Sequence, residues 1–252
     1  MAVAPVLAVA LIVLVALVVE ASLGFGATVI AVALGAFFFP IDVLLPAYVP
    51  VNMLLSAYLV VRHRDGVDLR ILLRRIVPFM ALGLPVGLVL FRYSSGPHLK
   101  VLFGVFVVVL SALELVRMAR ARPEDGAAPT RPLATAPAAV LLLLGGVIHG
   151  AFGTGGPMAV YVAGRQLPDK RVFRSTLSAL WLVLNGVLVA TYALGGYVTA
   201  RSAKLSLVML APLVLGTVVG EWTHTRLKGR TFALVVFVML LVAGLALAVR
   251  SR

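Results

Sequence analysis

The chain has 252 residues, 62% of them hydrophobic, and its mean hydropathy is +1.11. Soluble domains hold about 45–50% apolar residues, so the composition excludes an ordinary soluble enzyme or binding domain. The formal net charge is +13, from 22 Lys and Arg against 9 Asp and Glu. Nearly all the basic residues fall between apolar runs, which indicates membrane orientation and contact with anionic lipid, and no nucleic-acid partner.

Metal and thiol chemistry have little support in the sequence. Cysteine is absent, which excludes disulfides, thiolate metal sites and a cysteine nucleophile. The four histidines, His63, His98, His149 and His224, share no spacing typical of metal ligands. We therefore predict neither a metal nor another cofactor.

Eight hydrophobic segments predict an all-α polytopic membrane protein. Their approximate bounds are 3–38, 43–61, 76–92, 99–116, 133–164, 173–195, 204–222 and 231–249. The first and fifth exceed the ~20 residues that one span needs, and both carry glycines near their middles. We predict that each is a broken helix, either a steeply tilted span or a hairpin of two short helices. The first has no Lys or Arg before it and is too long for a signal-peptide core, which favours retained membrane structure.

The stretch Ile148–Met158 interrupts the fifth segment. It contains Gly155, Gly156 and Pro157, and in a helix interior each Gly costs about 1 kcal/mol and a Pro about 3 kcal/mol relative to Ala. Non-helical backbone at membrane depth is tolerated only where it is buried in protein or lines a water-filled cavity. Pro157 suits the first turn of a short following helix, whose N-terminus would present free N–H groups to an anion.

The chain divides into two similar halves. Residues 1–116 form a first membrane repeat and residues 133–252 a second, each with four hydrophobic segments. The Pro-, Ala- and charge-rich stretch 117–132 between them predicts a flexible cytoplasmic linker. Two matched asparagines and two matched glycine pairs share one offset, so we infer a duplicated fold. The matched positions are Glu20–Thr28 with His149–Pro157, Asn52 with Asn185, Gly83 with Gly216, and Gly87 with Gly220.

Loop charge distinguishes two topologies. If all eight segments are simple spans, the two sides hold 13 and 9 basic residues, and if the first and fifth are hairpins they hold 16 and 6. The positive-inside rule favours the hairpins and places loops 62–75, 117–132, 165–174 and 226–230 in the cytoplasm. Each half then contains a hairpin and three spans, so the halves have opposite orientations, as in many secondary transporters.

The two breaks and the paired asparagines are the candidate substrate-binding site. Backbone N–H groups, hydroxyls and amides there could bind a small anion. Close helix packing also explains the glycines, and interhelical hydrogen bonds also explain the asparagines, so both interpretations stay open. The candidate residues are Gly24, Gly26, Thr28, Asn52, Gly153, Thr154, Gly155, Gly156 and Asn185.

Ionisable and aromatic residues complete the set. His149 and Glu20 match each other across the repeat, precede the breaks and are candidates for proton coupling. Either could instead lie at a hairpin flank, in contact with water or backbone. Glu221, beside Trp222, fits an interfacial position. Aromatic belts and cavity walls both fit Tyr48, Tyr58, Tyr161, Trp181, Tyr192 and Tyr197.

At these residues the chain resembles the TauE/SafE family of sulfite exporters, also called the toluene sulfonate uptake permease family. The resemblance rests on the glycine-rich breaks, best in Gly150–Pro157, on the repeated four-segment layout and on overall size. It implies transport of sulfur oxyanions or organosulfonates, such as sulfite, thiosulfate or sulfoacetate, across the cell membrane. The family's site would correspond to the two breaks and the facing polar residues.

We therefore predict a secondary transporter of a small anion that works by alternating access and has no enzymatic activity. A passive anion channel, an intramembrane enzyme and a non-transporting scaffold are the alternatives. No nucleophile motif accompanies His149, and a scaffold leaves the paired breaks unexplained. The sequence leaves open whether the chain forms a homo-oligomer.

Overall fold

The computed structural model describes residues 3–94, 96–120, 133–223 and 229–250. Within these ranges the chain is helical and contains no strand, as the apolar runs predict. A 3₁₀ turn at Arg64–Gly66 follows α3, and a π-helical turn at Leu72–Ile76 joins α4 to α5. The helices are α1 Val3–Leu23, α2 Ala27–Gly35, α3 Ile41–Arg62, α4 Leu69–Ile71, α5 Val77–Tyr93, α6 Gly96–Arg120, α7 Thr135–Phe152, α8 Gly156–Ala163, α9 Lys170–Leu194, α10 Ala200–Thr223 and α11 Gly229–Arg250.

Seven stretches in the described ranges are helical, long and apolar enough to cross a membrane. They are α1, α3, α4 with α5, α6, α7, α9 and α10, and α11 has a shorter apolar stretch at Val236–Val249. The two remaining helices, α2 and α8, have 9 and 8 residues. At 1.5 Å per residue they are about 14 and 12 Å long, roughly half of a bilayer core.

Both overlong segments are broken at glycines. Gly24 follows α1 and Gly153 follows α7, with φ angles of 87° and 65° that L-residues with side chains rarely adopt. The N–H of Gly24 donates to the carbonyl of Glu20 at 2.6 Å, and that of Gly153 donates to the carbonyl of His149 at 2.7 Å. The same helix ending therefore occurs at two positions that the predicted repeat matches with each other.

The matched glycine pairs lie at helix crossings between the halves. Gly83 and Gly87 of α5 pack against the backbone of α7, and Gly216 and Gly220 of α10 pack against α1. In each case the glycines face a broken helix of the opposite half. Small residues let the backbones approach closely, which is the usual basis of tight packing between membrane helices.

Three helix ends meet on one side of the bundle. His63, after α3, contacts Glu221 near the end of α10, with His63 Nε2 3.2 Å from Glu221 Oε2. The Cα of Gly66 packs against Ser175, in the first turns of α9. The loop after α3, the start of α9 and the end of α10 therefore share one end of the bundle.

The turns that follow α2, α5 and α9 lie at the opposite end of the bundle. The Arg201 guanidinium, at the start of α10, lies over the Phe39 ring at 5.4 Å. Phe91 of α5 packs on Tyr192 near the end of α9, with ring centroids 5.3 Å apart. Helices α6 and α11 are antiparallel, because Gly104 and the following turn of α6 contact the C-terminal half of α11.

The predicted linker, 117–132, begins inside a helix, because α6 continues to Arg120. Its remaining residues, 121–132, lie outside the described ranges.

The α5–α7 crossing yields a first prediction. A methyl group added at Gly87 would overlap the Val147 carbonyl oxygen, whereas nothing lies within 4 Å of one added at Gly186. We expect Gly87→Ala to destabilise the protein by about 1–3 kcal/mol through overpacking, and Gly186→Ala to be neutral or stabilising. Thermal melting of both variants in detergent measures the difference, and equal melting temperatures would contradict the close crossing.

Candidate functional site

A small cavity lies where the two breaks face each other. The space open to the centre of a water molecule is about 20 Å³, enough for about one water. Its wall combines backbone, hydroxyl, amide, carboxyl and ring groups, and none of the lining side chains is Lys or Arg. The lining residues are Glu20, Gly26, Thr28, Asn52, His149, Gly153, Thr154, Gly156, Trp181 and Asn185.

Nine of the eleven predicted site residues line this cavity. The other two, Gly24 and Gly155, belong to the breaks but are engaged in hydrogen bonds beside it. The Gly24 carbonyl accepts from Trp181 Nε1 at 2.9 Å, and the Gly155 N–H donates to His149 Nδ1 at 3.3 Å. Substrate binding by the set stays a prediction.

A series of hydrogen bonds joins buried side chains in the cavity wall; we call it the amide chain. Asn185 Nδ2 donates to Asn52 Oδ1 at 2.8 Å, and Asn52 Nδ2 donates to Glu20 Oε1 at 2.9 Å. Asn52 Nδ2 also donates to the Tyr48 hydroxyl at 3.2 Å. All four residues are at most 4% exposed, and the chain links the two halves through their matched asparagines.

Glu20 is buried inside the bundle, and only 4% of it is exposed. Of the alternatives that the sequence left open at a hairpin flank, contact with water does not describe it, whereas contact with backbone does. Its carboxylate accepts from the Asn52 amide and from the backbone N–H of Ala27, the first residue of α2.

The His149 ring is held on two sides. The Gly155 N–H donates to Nδ1, and the Trp181 indole stacks on the ring at a centroid distance of 5.7 Å and an interplanar angle of 16°. An accepting Nδ1 leaves the proton of the neutral imidazole on Nε2. Among the described residues, His149 Nε2 and Asn185 Oδ1 take part in no hydrogen bond of normal length, and the two side chains interact with each other through a longer hydrogen bond.

Trp181 is the lining residue that sequence reasoning did not single out. It was one of six aromatic residues that fitted either an interfacial belt or a cavity wall. One signal was available: the offset that matches Asn52 with Asn185 also matches Tyr48 with Trp181. In both halves an aromatic residue with a polar group therefore stands four residues before the asparagine, on the same helix face.

A buried ion pair lies beside the first break. Arg174, which the sequence placed in a cytoplasmic loop, is 5% exposed, and its backbone packs against the Cα of Gly24. Arg174 Nη2 donates to Glu221 Oε1, and His63 contacts the same carboxylate. Glu221 is thus engaged between α3, α9 and α10, which an interfacial position alone did not predict.

Comparison with known proteins agrees with this architecture. The family model described as sulfite exporter TauE/SafE matches residues 9–247, nearly the whole chain. The matched family is a transporter family, and with seven candidate spans the chain is a multi-pass membrane protein. No curated protein and no solved structure matches the chain.

The buried ion pair yields a second prediction. The Arg174 side chain is 6% exposed and that of Glu221 is 24% exposed, so an unpaired arginine should cost more than an unpaired glutamate. We expect Glu221→Ala to lower the melting temperature more than Arg174→Ala. We expect the double variant to lose less stability than the sum of the two, with a coupling of about 1–3 kcal/mol.

The exposed pair Arg117–Glu114, in which the arginine side chain is 65% exposed, is the matched control. Its coupling should stay below about 1 kcal/mol. Additive losses for Arg174 and Glu221 would mean that the buried pair does not tie the helices together.

Proposed function

Because the chain belongs to the sulfite exporter TauE/SafE family, we propose that it is a secondary transporter of a small anion across the cytoplasmic membrane. The proposed substrates are sulfur oxyanions such as sulfite and thiosulfate, or organosulfonates such as sulfoacetate. The observation that carries this proposal is the polar cavity between two broken helices in an otherwise apolar bundle. Discontinuous helices that meet at mid-membrane are the usual substrate site of secondary transporters.

The cavity suits an anion that must bind and leave again. The N-termini of α2 and α8 begin at the cavity wall, where Gly26, Thr28 and Gly156 line it. Helix N-termini carry free N–H groups and partial positive charge, which favour an anion. The Thr154 hydroxyl and His149 Nε2–H are further neutral donors. Binding by such dipoles is weaker than binding by a fixed cation, so release stays feasible.

The small volume supports alternating access. Room for about one water is too little for any sulfur oxyanion, so binding requires the surrounding helices to move. The inverted arrangement of the halves supplies such a motion, because rocking one half against the other exposes a central site to each side in turn. Antiparallel α6 and α11 support this arrangement, as does the end of the bundle shared by the loops around His63, Ser175 and Glu221.

The topology yields a third prediction. Hairpins at the two breaks put the loops around Asp65 and Lys170 on the same, cytoplasmic side, whereas eight simple spans put them on opposite sides. The chain has no cysteine, so in a single-cysteine variant all thiol labelling comes from the introduced residue. We expect Asp65→Cys and Lys170→Cys to react with an impermeant thiol reagent only after the cells are permeabilised, and Val198→Cys to react in intact cells. Labelling of Lys170→Cys from outside would contradict the hairpin topology.

A fourth prediction tests the substrate class. A thermal-shift screen with sulfite, thiosulfate, sulfate, taurine and sulfoacetate should give a rise in melting temperature with a sulfur oxyanion or a sulfonate. At 100-fold excess over Kd, binding adds about 2.7 kcal/mol of stability. Uptake of the selected anion into proteoliposomes should saturate and show counterflow, and unsaturated flux would identify a channel.

The same assay tests the site. Asn52→Ala and Asn185→Ala each remove a buried amide from the cavity wall, and a hydrogen bond to a charged group contributes about 1.5–3 kcal/mol. We expect uptake to fall by about 10- to 100-fold, with Gly186→Ala as the folded control. Wild-type uptake by both asparagine variants would place the site elsewhere.

A further inference from the structure

The amide chain has a direction that one ionisable group controls. It runs from Asn185 to Asn52 to Glu20, and each Nδ2 donates to the next oxygen. A carboxylate can only accept hydrogen bonds, so ionised Glu20 orients Asn52 with its Nδ2 toward the carboxylate. Asn52 Oδ1 then faces Asn185 and accepts from it. The last atom of this series of amides, Asn185 Oδ1, has no hydrogen bond of normal length among the described residues, and its side chain interacts at longer range with the His149 ring.

A proton on Glu20 permits the opposite direction. Protonated Glu20 has an O–H that can donate, and it can donate to Asn52 Oδ1 once that amide has turned over. Asn52 Nδ2 then donates to Asn185 Oδ1, and Asn185 Nδ2 becomes the free end. The two ends of an asparagine amide have nearly the same shape, so both flips fit the same packing. Tyr48 accommodates both states, because a hydroxyl can accept from Nδ2 or donate to Oδ1.

The two states differ in what they offer an anion. With Glu20 ionised, an anion would meet a negative charge and a carbonyl oxygen that interacts only with the His149 ring. With Glu20 protonated, the charge is gone and an N–H donor replaces the oxygen. Both changes favour the anion.

His149 keeps one role in both states. His149 Nδ1 accepts a hydrogen bond from the Gly155 N–H, so a second proton on the ring would break that hydrogen bond. Its Nε2–H remains a neutral donor. Other ionisable groups do not replace Glu20: Tyr48 of α3 lies close to it and is bonded to Asn52, and Glu221 of α10 is paired with Arg174 and His63.

From this geometry we propose that Glu20 carries the coupling proton and that the Asn52–Asn185 amide chain reverses with it, so that one proton moves with each anion in the same direction. This inference rests on the proposed transport function. It assigns Asn52 the role of a positioning residue and Asn185 that of the anion contact.

The first measurement is thiosulfate binding to the full-length protein by calorimetry, from about pH 5 to about pH 8. Thiosulfate keeps its charge over this range, so any pH dependence belongs to the protein. Where Glu20 is ionised in the free protein, we expect Kd to rise by ~10-fold per pH unit and about one proton to be taken up per anion bound. Glu20→Gln should bind thiosulfate with one affinity at every pH and take up no proton.

The second measurement follows the amides directly. Asn52 and Asn185 are the only asparagines in the chain, so asparagine labelled with ¹³C and ¹⁵N gives two side-chain amide signals by NMR. We expect both signals to shift with pH at the midpoint of the Kd change, and both to be constant in Glu20→Gln. The matched control Glu114→Gln, at a carboxylate paired with exposed Arg117, should keep the wild-type pH dependence.

The outcomes separate this inference from the transport proposal. If none of the screened anions binds at any pH, the transport function fails and the coupling fails with it. If thiosulfate binds without proton uptake, only the coupling is overturned. If Kd follows the protonation of Glu20 while the Asn185 signal stays constant, Glu20 acts by charge alone and the amide chain is not the coupling element.

Discussion

A helix can end inside an apolar layer only if the backbone groups that it releases find other partners, and this requirement shapes the centre of the protein. At the first break the Gly24 N–H returns to Glu20 and its carbonyl accepts from Trp181. At the second break the Gly155 N–H is taken by His149. The first break thus takes a partner from the opposite half, the Trp181 indole, whereas the second is satisfied within its own half by His149.

Close helix packing holds those partners in place. Glycines of α5 and α10 bring their backbones onto α7 and α1, and each of these pairs joins the two halves. The broken helices are therefore fixed by the opposite half, while Trp181 and Asn185 reach across on α9. A side chain at either glycine crossing would separate the backbones and move the cavity wall with them.

The sequence predicted the features that local chemistry determines. Gly24, Gly153 and Pro157 mark the breaks because helix propensity and positive φ are properties of a few adjacent residues. Asn52 and Asn185 were predicted to line the site because amides are rare in apolar spans and because the predicted repeat matches the two positions. The transporter family was recognised from the breaks, the layout and the size, and the family match covers residues 9–247.

What the sequence missed depends on contacts between distant segments. Arg174 stands one turn into a helix next to a loop, where a solvated arginine is the usual expectation, and only the packing of Gly24 and Glu221 buries it. In the sequence nothing distinguishes Trp181 from other membrane aromatics, because its place at the cavity depends on its stacking against His149. Apolar helices of similar composition do not reveal which faces meet, so such partners could not be predicted.

Arg174 also explains how the cavity can remain without a fixed cation. The arginine lies against Gly24, beside the first break, but Glu221 engages its guanidinium on the side of α10. A buried guanidinium facing the cavity would hold an anion through charge-assisted hydrogen bonds that are about twice as strong as neutral ones, and release would be slow. The cavity instead offers neutral donors and one carboxylate whose charge a proton can remove. In the coupling that we propose, anion affinity would depend on a proton that can leave again, which is the property that reversible transport requires.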